Sequence, residues 1–189
     1  SDQTCLLSMS SKDLRASAYI ERMIQAGVAS LKIEGRMKSE YYLATVINAY
    51  RRAIDEYYRV GKAYKDNPLY QEELKKTAHR DFTTAYLLGE NDRTVNYDDS
   101  QSKGTYKFIA NVIEDYSDGY AVIEMRNRFK INDELEVLSP TENFNKIIKV
   151  EKIEDLNGNE VLDAKIVQQK LKLFTSVKLN AGDILRIKV

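Results

Sequence analysis

The hydrophobic period of the chain changes once. Up to about Gly89 apolar positions recur mostly at helical spacing, and from Thr105 they alternate. Ile20, Met23 and Ile24 share one helical face, with Ser17 as candidate N-cap. Gly27 stands where a helix end favours a left-handed residue. Val28 to Ile33 shows little polar alternation and predicts a short strand covered on both faces. After Ser39 comes the strongest period. Leu43, Val46, Ile47, Tyr50, Ala53, Ile54 and Tyr57 form one stripe, predicting a helix that runs to about Val60 and ends at Gly61. Asn67-Pro68 predicts a further short helix to about Lys76, and Thr77 to Gly89 an ordered connector. At the start, Cys5-Leu6-Leu7 reads as a strand and Ser8 to Lys12 as a turn, with Asp13 and Leu14 in a capped turn after it.

The second half reads as short strands. Tyr106 to Ile113 and Tyr120 to Met125 flank the hairpin signal Asp118-Gly119. Leu135 to Leu138, Phe144 to Ile153, Leu171 to Val177 and Ile184 to Val189 follow, with a short element near Val161 or Ile166. Six or seven strands at regular spacing predict a small closed or partly closed antiparallel barrel.

Glu90 to Gly104 is polar and has no apolar face, which is linker composition. The expected organisation is therefore residues 1–89 as the end of an α/β domain, 90–104 as linker and 105–189 as a β-barrel domain. The fold class is α+β: an N-terminal helix–strand–helix remnant of an α/β barrel followed by a small antiparallel β-barrel. One helix–strand–helix unit cannot make a parallel sheet alone, because its strand would leave edges and apolar faces uncovered. The chain is expected to be cut from a longer protein. The cover is then the missing N-terminal domain, or another copy of the chain through self-association.

Charge narrows the picture little. Lys plus Arg equals Asp plus Glu at 29 each, so no global field points to nucleic acid or membrane. A single cysteine, Cys5, rules out an internal disulfide and a cysteine-only metal site within one chain. With no apolar run of about 18 residues, the expectation is a cytoplasmic protein without a membrane partner.

The candidate chemistry centres on Lys32, Glu34, Arg36 and Lys38, which flank Gly35 in the loop between strand and long helix. Two readings stand. They contact an anionic or polar substrate at the mouth of the parent barrel, or they form ion pairs that lock the strand to its neighbour. Gly35 is expected to serve a sharp backbone turn. Arg80 is a candidate for binding a carboxylate or phosphate. The single histidine, His79, has no nucleophile beside it in sequence, Cys5 reads as a small buried residue, and most tyrosines of the long helix read as packing.

Several spaced motifs then carry a resemblance. They are Ser11-Lys12-Asp13-Leu14, Ala26-Gly27-Val28, Ser30-Leu31-Lys32-Ile33-Glu34-Gly35-Arg36-Met37-Lys38-Ser39, Tyr42 and Ala49-Tyr50-Arg51-Arg52-Ala53-Ile54-Asp55. In this order they resemble the collagenase-like peptidases, peptidase family U32. Arg80-Asp81-Phe82-Thr83-Thr84-Ala85-Tyr86 is similar to a later motif of that family, with Ala85 where glycine is more usual. The remainder is similar to the β-rich C-terminal domain of many members, and at fold level to the second-domain barrel of translation elongation factors. The resemblance implies a barrel-type α/β protein with a C-terminal extension. It implies peptidase activity for some members, and for others a part in hydroxylating an RNA base with dependence on iron–sulfur cluster assembly. The family's cysteine cluster lies upstream of the matching motifs, so an iron–sulfur cluster would sit there and no cofactor is expected in this segment.

The expected function is that of a C-terminal segment of a collagenase-like peptidase. It contributes the substrate-positioning residues Lys32, Glu34, Arg36, Lys38 and Arg80 and an accessory barrel, without catalysing alone. The alternative is part of an RNA-base hydroxylation protein whose barrel binds RNA or a protein partner.

Overall fold

The computed structural model describes residues 10–89, 95–96 and 103–189. They belong to two units, Ser1–Gly104 and Thr105–Val189. The expected strand at Cys5 to Leu7 lies outside the described residues, as does most of the expected linker.

The first unit begins with β1 (Ser10–Ser11) and β2 (Asp13–Leu14), where a polar turn was predicted. The reason is distant pairing. β2 runs parallel to β3 (Phe82–Thr83), and β1 pairs antiparallel with β4 (Val95–Asn96). Nothing in the local sequence encodes either partner. Pairing also draws the described part of the expected linker into this unit, for Lys103 and His79 exchange two backbone hydrogen bonds of 2.8 Å.

A 3-10 turn, Ser17–Tyr19, leads into α1 (Ile20–Gln25). Ser17 lies inside that turn and is buried, so it is not the cap that was predicted. Gly27 does close the helix. At φ +82° its N–H donates to Ile24 O at 2.9 Å, and Val28 N–H donates to Met23 O at 3.0 Å, the paired bonds of a Schellman end. α2 (Glu40–Val60) starts where Ser39 Oγ accepts from Tyr42 N–H at 3.2 Å, and Gly61 ends it at φ +59°. α3 (Pro68–Lys75) is capped by the Asn67 side chain, which accepts from Leu69 N–H at 3.0 Å.

The core of this unit is Ile20, Val46, Ala49, Ala53, Tyr70 and Leu74. Two predictions fail beside it. Residues 28–34 form no strand or helix, and Val28 and Leu31 are exposed. No strand among the described residues lies alongside to complete a ladder. The α2 stripe is also narrower than predicted. Its buried line is Tyr41, Thr45, Val46, Ala49 and Ala53, whereas Ile47 is 51% exposed. That flank of the helix has apolar residues without matching cover.

The second unit contains β5 (Tyr106–Ser117), β6 (Tyr120–Met125), β7 (Phe129–Lys130), β8 (Glu134–Leu138), β9 (Ile147–Lys149), β10 (Lys152–Asp155), β11 (Asp163–Ala164), β12 (Lys170–Phe174) and β13 (Ile184–Lys188). Asp118 and Gly119 both take positive φ, 53° and 90°, as a two-residue hairpin requires. Seven strands form one antiparallel sheet in the order β10-β12-β6-β5-β13-β8-β9, while β7 pairs with β11.

Phe144 to Ile153, predicted as one strand, is two. β9 pairs with β8 and β10 with β12, at opposite edges of the sheet. Only Val150 and Glu151 separate them. Lys149 and Lys152 are three Cα steps apart, so their Cα atoms lie within about 11 Å. The sheet therefore has to roll until its edges nearly meet. It is a partly closed barrel around an apolar core that includes Ile109, Ile123, Phe129, Leu135, Ile153 and Leu173.

One ion pair is buried at the wall of this barrel. Arg186, with 0% exposure, donates from Nε to Glu136 Oε1 at 2.8 Å and from an Nη to Asn145 Oδ1 at 2.9 Å. Tyr106 OH donates to the other Glu136 oxygen at 3.1 Å. Removing one member of such a pair leaves an uncompensated buried charge. Glu136→Ala should cost about 3–5 kcal/mol and lower the melting temperature sharply, with Glu136→Gln costing less. Equal melting temperatures for Glu136→Ala and the parent chain would refute this.

Between α2 and α3, Tyr70 OH donates to Glu56 at 2.7 Å. Burial first, then this hydrogen bond and the Glu56 charge, push the Tyr70 phenol up to about 12. The folded state thus favours neutral Tyr70. That stabilisation is whole below the ordinary value near 10.0 and is lost as pH rises through about 12. Between these limits the parent chain should lose melting temperature faster than Tyr70→Phe. Parallel alkaline melting curves would show that the phenol is not linked to folding.

Candidate functional site

The parallel pair β2/β3 lays out one wall of a cleft in the first unit. Asp13 N–H donates to Asp81 O and Arg15 N–H to Thr83 O, each at 2.9 Å. This register sets Asp13, Arg15 and Phe82 beside His79 and Arg80. The segment from Leu31 to Lys38 and the side chains of Tyr42 and Tyr50 on α2 also line the cleft, whose volume is about 780 Å³.

Lys32, Glu34, Arg36, Lys38 and Arg80 all line this cleft, but only two of them share a partner. Lys38 Nζ reaches Asp13 Oδ2 at 3.2 Å. Arg80 donates its backbone N–H to the same oxygen at 3.1 Å, and its Nε lies 3.6 Å from Oδ1. Lys32 and Arg36 are exposed and form no ion pair with another described residue. Glu34 turns back on its own loop and accepts Arg36 N–H at 2.9 Å. The loop therefore divides its charges: Lys38 holds the structure together, and Lys32 and Arg36 are left to solvent or ligand.

Gly35 opens the predicted turn, its carbonyl accepting Lys38 N–H at 2.9 Å, and it has a second reason to be glycine. Its φ is not positive, and a Cβ there would lie 2.2 Å from Leu43 Cδ2. It permits close approach of the loop to α2 rather than an unusual backbone angle.

Asp13, Arg15, Tyr42 and Phe82 were not singled out from sequence as site residues. Asp13, Tyr42 and Phe82 do lie inside the resembling motifs, which was the available signal. Arg15 carries its guanidinium 4.5 Å from the Phe82 ring centroid, and Lys38 Nζ is 4.6 Å from the Tyr42 ring. Burial pushes the Tyr42 phenol up, as do Asp13 and Tyr50, while Arg80 opposes them. Burial also pushes Tyr50 up, against the Ala16 N–H that its oxygen accepts at 2.9 Å.

Among the described residues the wall carries Lys12, Arg15, Lys32, Arg36, Lys38 and Arg80 against Asp13 and Glu34. Six basic and two acidic side chains leave a local surplus of four positive charges in a chain whose net charge is +0. Such a surface suits an anionic ligand. An iron–sulfur cluster does not fit the donors present. The chain has one cysteine and one histidine, and no group of three His, Cys, Asp or Glu gathers among the described residues. No helix among these residues is long and apolar enough to cross a membrane.

Ala85, beside the cleft, takes φ +45°. An L side chain in the left-handed region costs about 1–2 kcal/mol, part of which glycine gives back through its freer unfolded chain. Ala85→Gly should therefore raise stability by up to about 1 kcal/mol in thermal unfolding. A loss of stability would mean that the Ala85 methyl contributes more in packing than its backbone costs.

Comparison with known proteins agrees with the motifs. The profile of Peptidase family U32 matches residues 2–97, and that of the Peptidase family U32 C-terminal domain matches residues 104–186. The tRNA hydroxylation protein P1 of Bacillus subtilis is 38% identical over 186 residues, covering 95% of this chain and 43% of its own length. The tRNA hydroxylation protein P of Escherichia coli is 37% identical, covering 79% of this chain and 32% of its own. A collagenase of Porphyromonas gingivalis is 28% identical, with 93% and 48% covered. The chain thus spans less than half the length of these relatives. A solved C-terminal domain, from a Geobacillus thermoleovorans protein described as a U32 peptidase, is 30% identical. It covers 42% of this chain and 98% of its own at a TM-score of 0.40. The two profile matches take in nearly the whole sequence, and the chain belongs to peptidase family U32.

Proposed function

We propose that this chain is part of an RNA-base hydroxylation protein and that its basic cleft holds the RNA substrate. One observation carries the reading. The surplus of four positive charges is gathered in the cleft, with Tyr42, Tyr50, Phe82 and Tyr86 on the same walls. Lysines and arginines meet phosphates, and aromatic faces meet bases. The relatives that share 37–38% of the sequence are named for tRNA hydroxylation, and the collagenase relative shares 28%.

The peptidase reading finds less support in the same place. Nucleophilic peptide cleavage needs Ser, Cys or Thr beside a base. Among the described residues lining the cleft there is neither Ser nor Cys, and no hydrogen bond joins the one threonine there, Thr84, to His79. His79 commits Nδ1 to the carbonyl of Arg80 at 2.7 Å. The cleft is thus equipped to position a substrate, and the reacting group belongs to the remainder of a longer protein.

Lys32 and Arg36 test the reading because both are exposed and neither ties the loop down. Lys32→Glu with Arg36→Glu should weaken tRNA binding about tenfold or more, with no change in melting temperature. Each lost phosphate contact should also flatten the salt dependence by about one unit of slope. Fluorescence anisotropy at several salt concentrations measures both. Unchanged affinity and slope would remove the cleft as the RNA site.

A further inference from the structure

The only histidine of the chain belongs to a stack on Phe82 of β3. His79 and Phe82 lie with ring centroids 4.2 Å apart and planes 18° apart. The Arg15 guanidinium lies 4.5 Å from the same Phe82 centroid. Phe82 thus joins Arg15 and His79 in one cluster of three flat groups. All three groups line the cleft.

His79 is held in place but not used up. Its backbone exchanges two hydrogen bonds with Lys103, and Nδ1 donates to Arg80 O at 2.7 Å. Phe82 occupies one ring face. Nε2 has no partner among the described residues. With Nδ1–H committed to a carbonyl, Nε2 of the neutral ring is an acceptor. A ring held through Nδ1 and one face, half-buried, with one hydrogen-bonding edge left over, is a preorganised surface for another planar, hydrogen-bonding group. Ordering costs little when such a surface binds, because its rotamers are already set.

We propose that the cluster of Arg15, Phe82 and His79 is a platform for one unpaired nucleobase, with Nε2 of His79 accepting a hydrogen bond from the base edge. This rests on the reading of the cleft as an RNA site and adds to it. The cations Lys32 and Arg36 would hold the backbone of the strand, whereas the stack would select a single-stranded over a paired position. A base inside a duplex offers no free face, so the platform distinguishes the two.

The test uses the 189-residue chain, a single-stranded RNA oligonucleotide carrying 2-aminopurine, and the same sequence as a duplex. The parent chain should quench the 2-aminopurine fluorescence and prefer the single strand. His79→Ala should weaken single-strand binding by roughly 5- to 150-fold, the range expected for loss of one base stack, and leave duplex affinity and melting temperature unchanged. His79→Phe keeps a flat ring and loses Nε2, so it should retain quenching with an intermediate affinity. If His79→Ala binds the single strand like the parent while the Lys32→Glu, Arg36→Glu chain does not, the platform is wrong and the RNA cleft stands. If the charge-reversed chain also binds like the parent, both fall together. Should His79→Ala not fold, the parent and His79→Phe decide: absence of quenching in both overturns the platform.

Discussion

A single carboxylate ties the cleft together. Asp13 receives Lys38 from the loop before α2 and Arg80 from the segment before β3. These residues are 25 and 67 positions away in the chain. The group is partly shielded, with 14% of the Asp13 side chain exposed. Loss of its charge would leave two cations facing one another, so Asp13 fixes geometry as well as compensating charge. With Lys38 anchored, the loop that carries Lys32 and Arg36 has one end fixed beside β2. Of the two readings of the loop charges, the ion-pair lock describes Lys38, and substrate contact is what is proposed for Lys32 and Arg36.

Local signals in the sequence were legible wherever one residue settles the geometry. Gly27 and Gly61 end their helices, Ser39 and Asn67 start theirs, and Asp118-Gly119 makes its hairpin. The period of two between Tyr106 and Met125 became paired strands because turn and alternation agree there. What could not be read was pairing over distance. Ser10–Ser11 and Asp13–Leu14 are strands only because residues far along the chain lie beside them. The reverse holds for Val28 to Ile33, where a strand-like composition has no adjacent ladder among the described residues. A hydrophobic pattern records what a segment can bury and not what is there to bury it.

The barrel shows how far topology goes beyond pattern. Phe144 to Ile153 looks continuous because no glycine or proline interrupts it. Asn132 N–H donates to Val150 O at 2.8 Å and Val150 N–H to Asp133 O at 2.9 Å, so the chain is taken out of the ladder at that point. From there it passes from one edge of the sheet to the other. The break makes the roll of the sheet obligatory, since two residues could not span seven strands laid flat. Arg186 and Glu136 pair on the opposite face of the sheet from the core residues Leu135, Val137 and Leu185, and both are nonetheless buried there. This is a cost that Tyr106 and Asn145 offset by hydrogen bonding.

Charge balance hid the site for a physical reason. Net charge over a long window averages side chains that fold to different places, whereas a field is set by those that end up within a Debye length of about 8–10 Å. Lys12 and Arg15 come from one end of the first unit, Lys32, Arg36 and Lys38 from the loop, and Arg80 from beyond α3. Their acidic counterparts are elsewhere. Residues 1–100 hold 15 acidic and 15 basic side chains; with 2 acidic and 6 basic in the described cleft lining, 13 acidic and 9 basic stand outside it. Helical pairs such as Glu72–Lys75 and Asp55–Arg51 are neutral and leave that difference untouched. The chain is thus neutral by length and not by place, which is how a neutral chain presents a basic cleft.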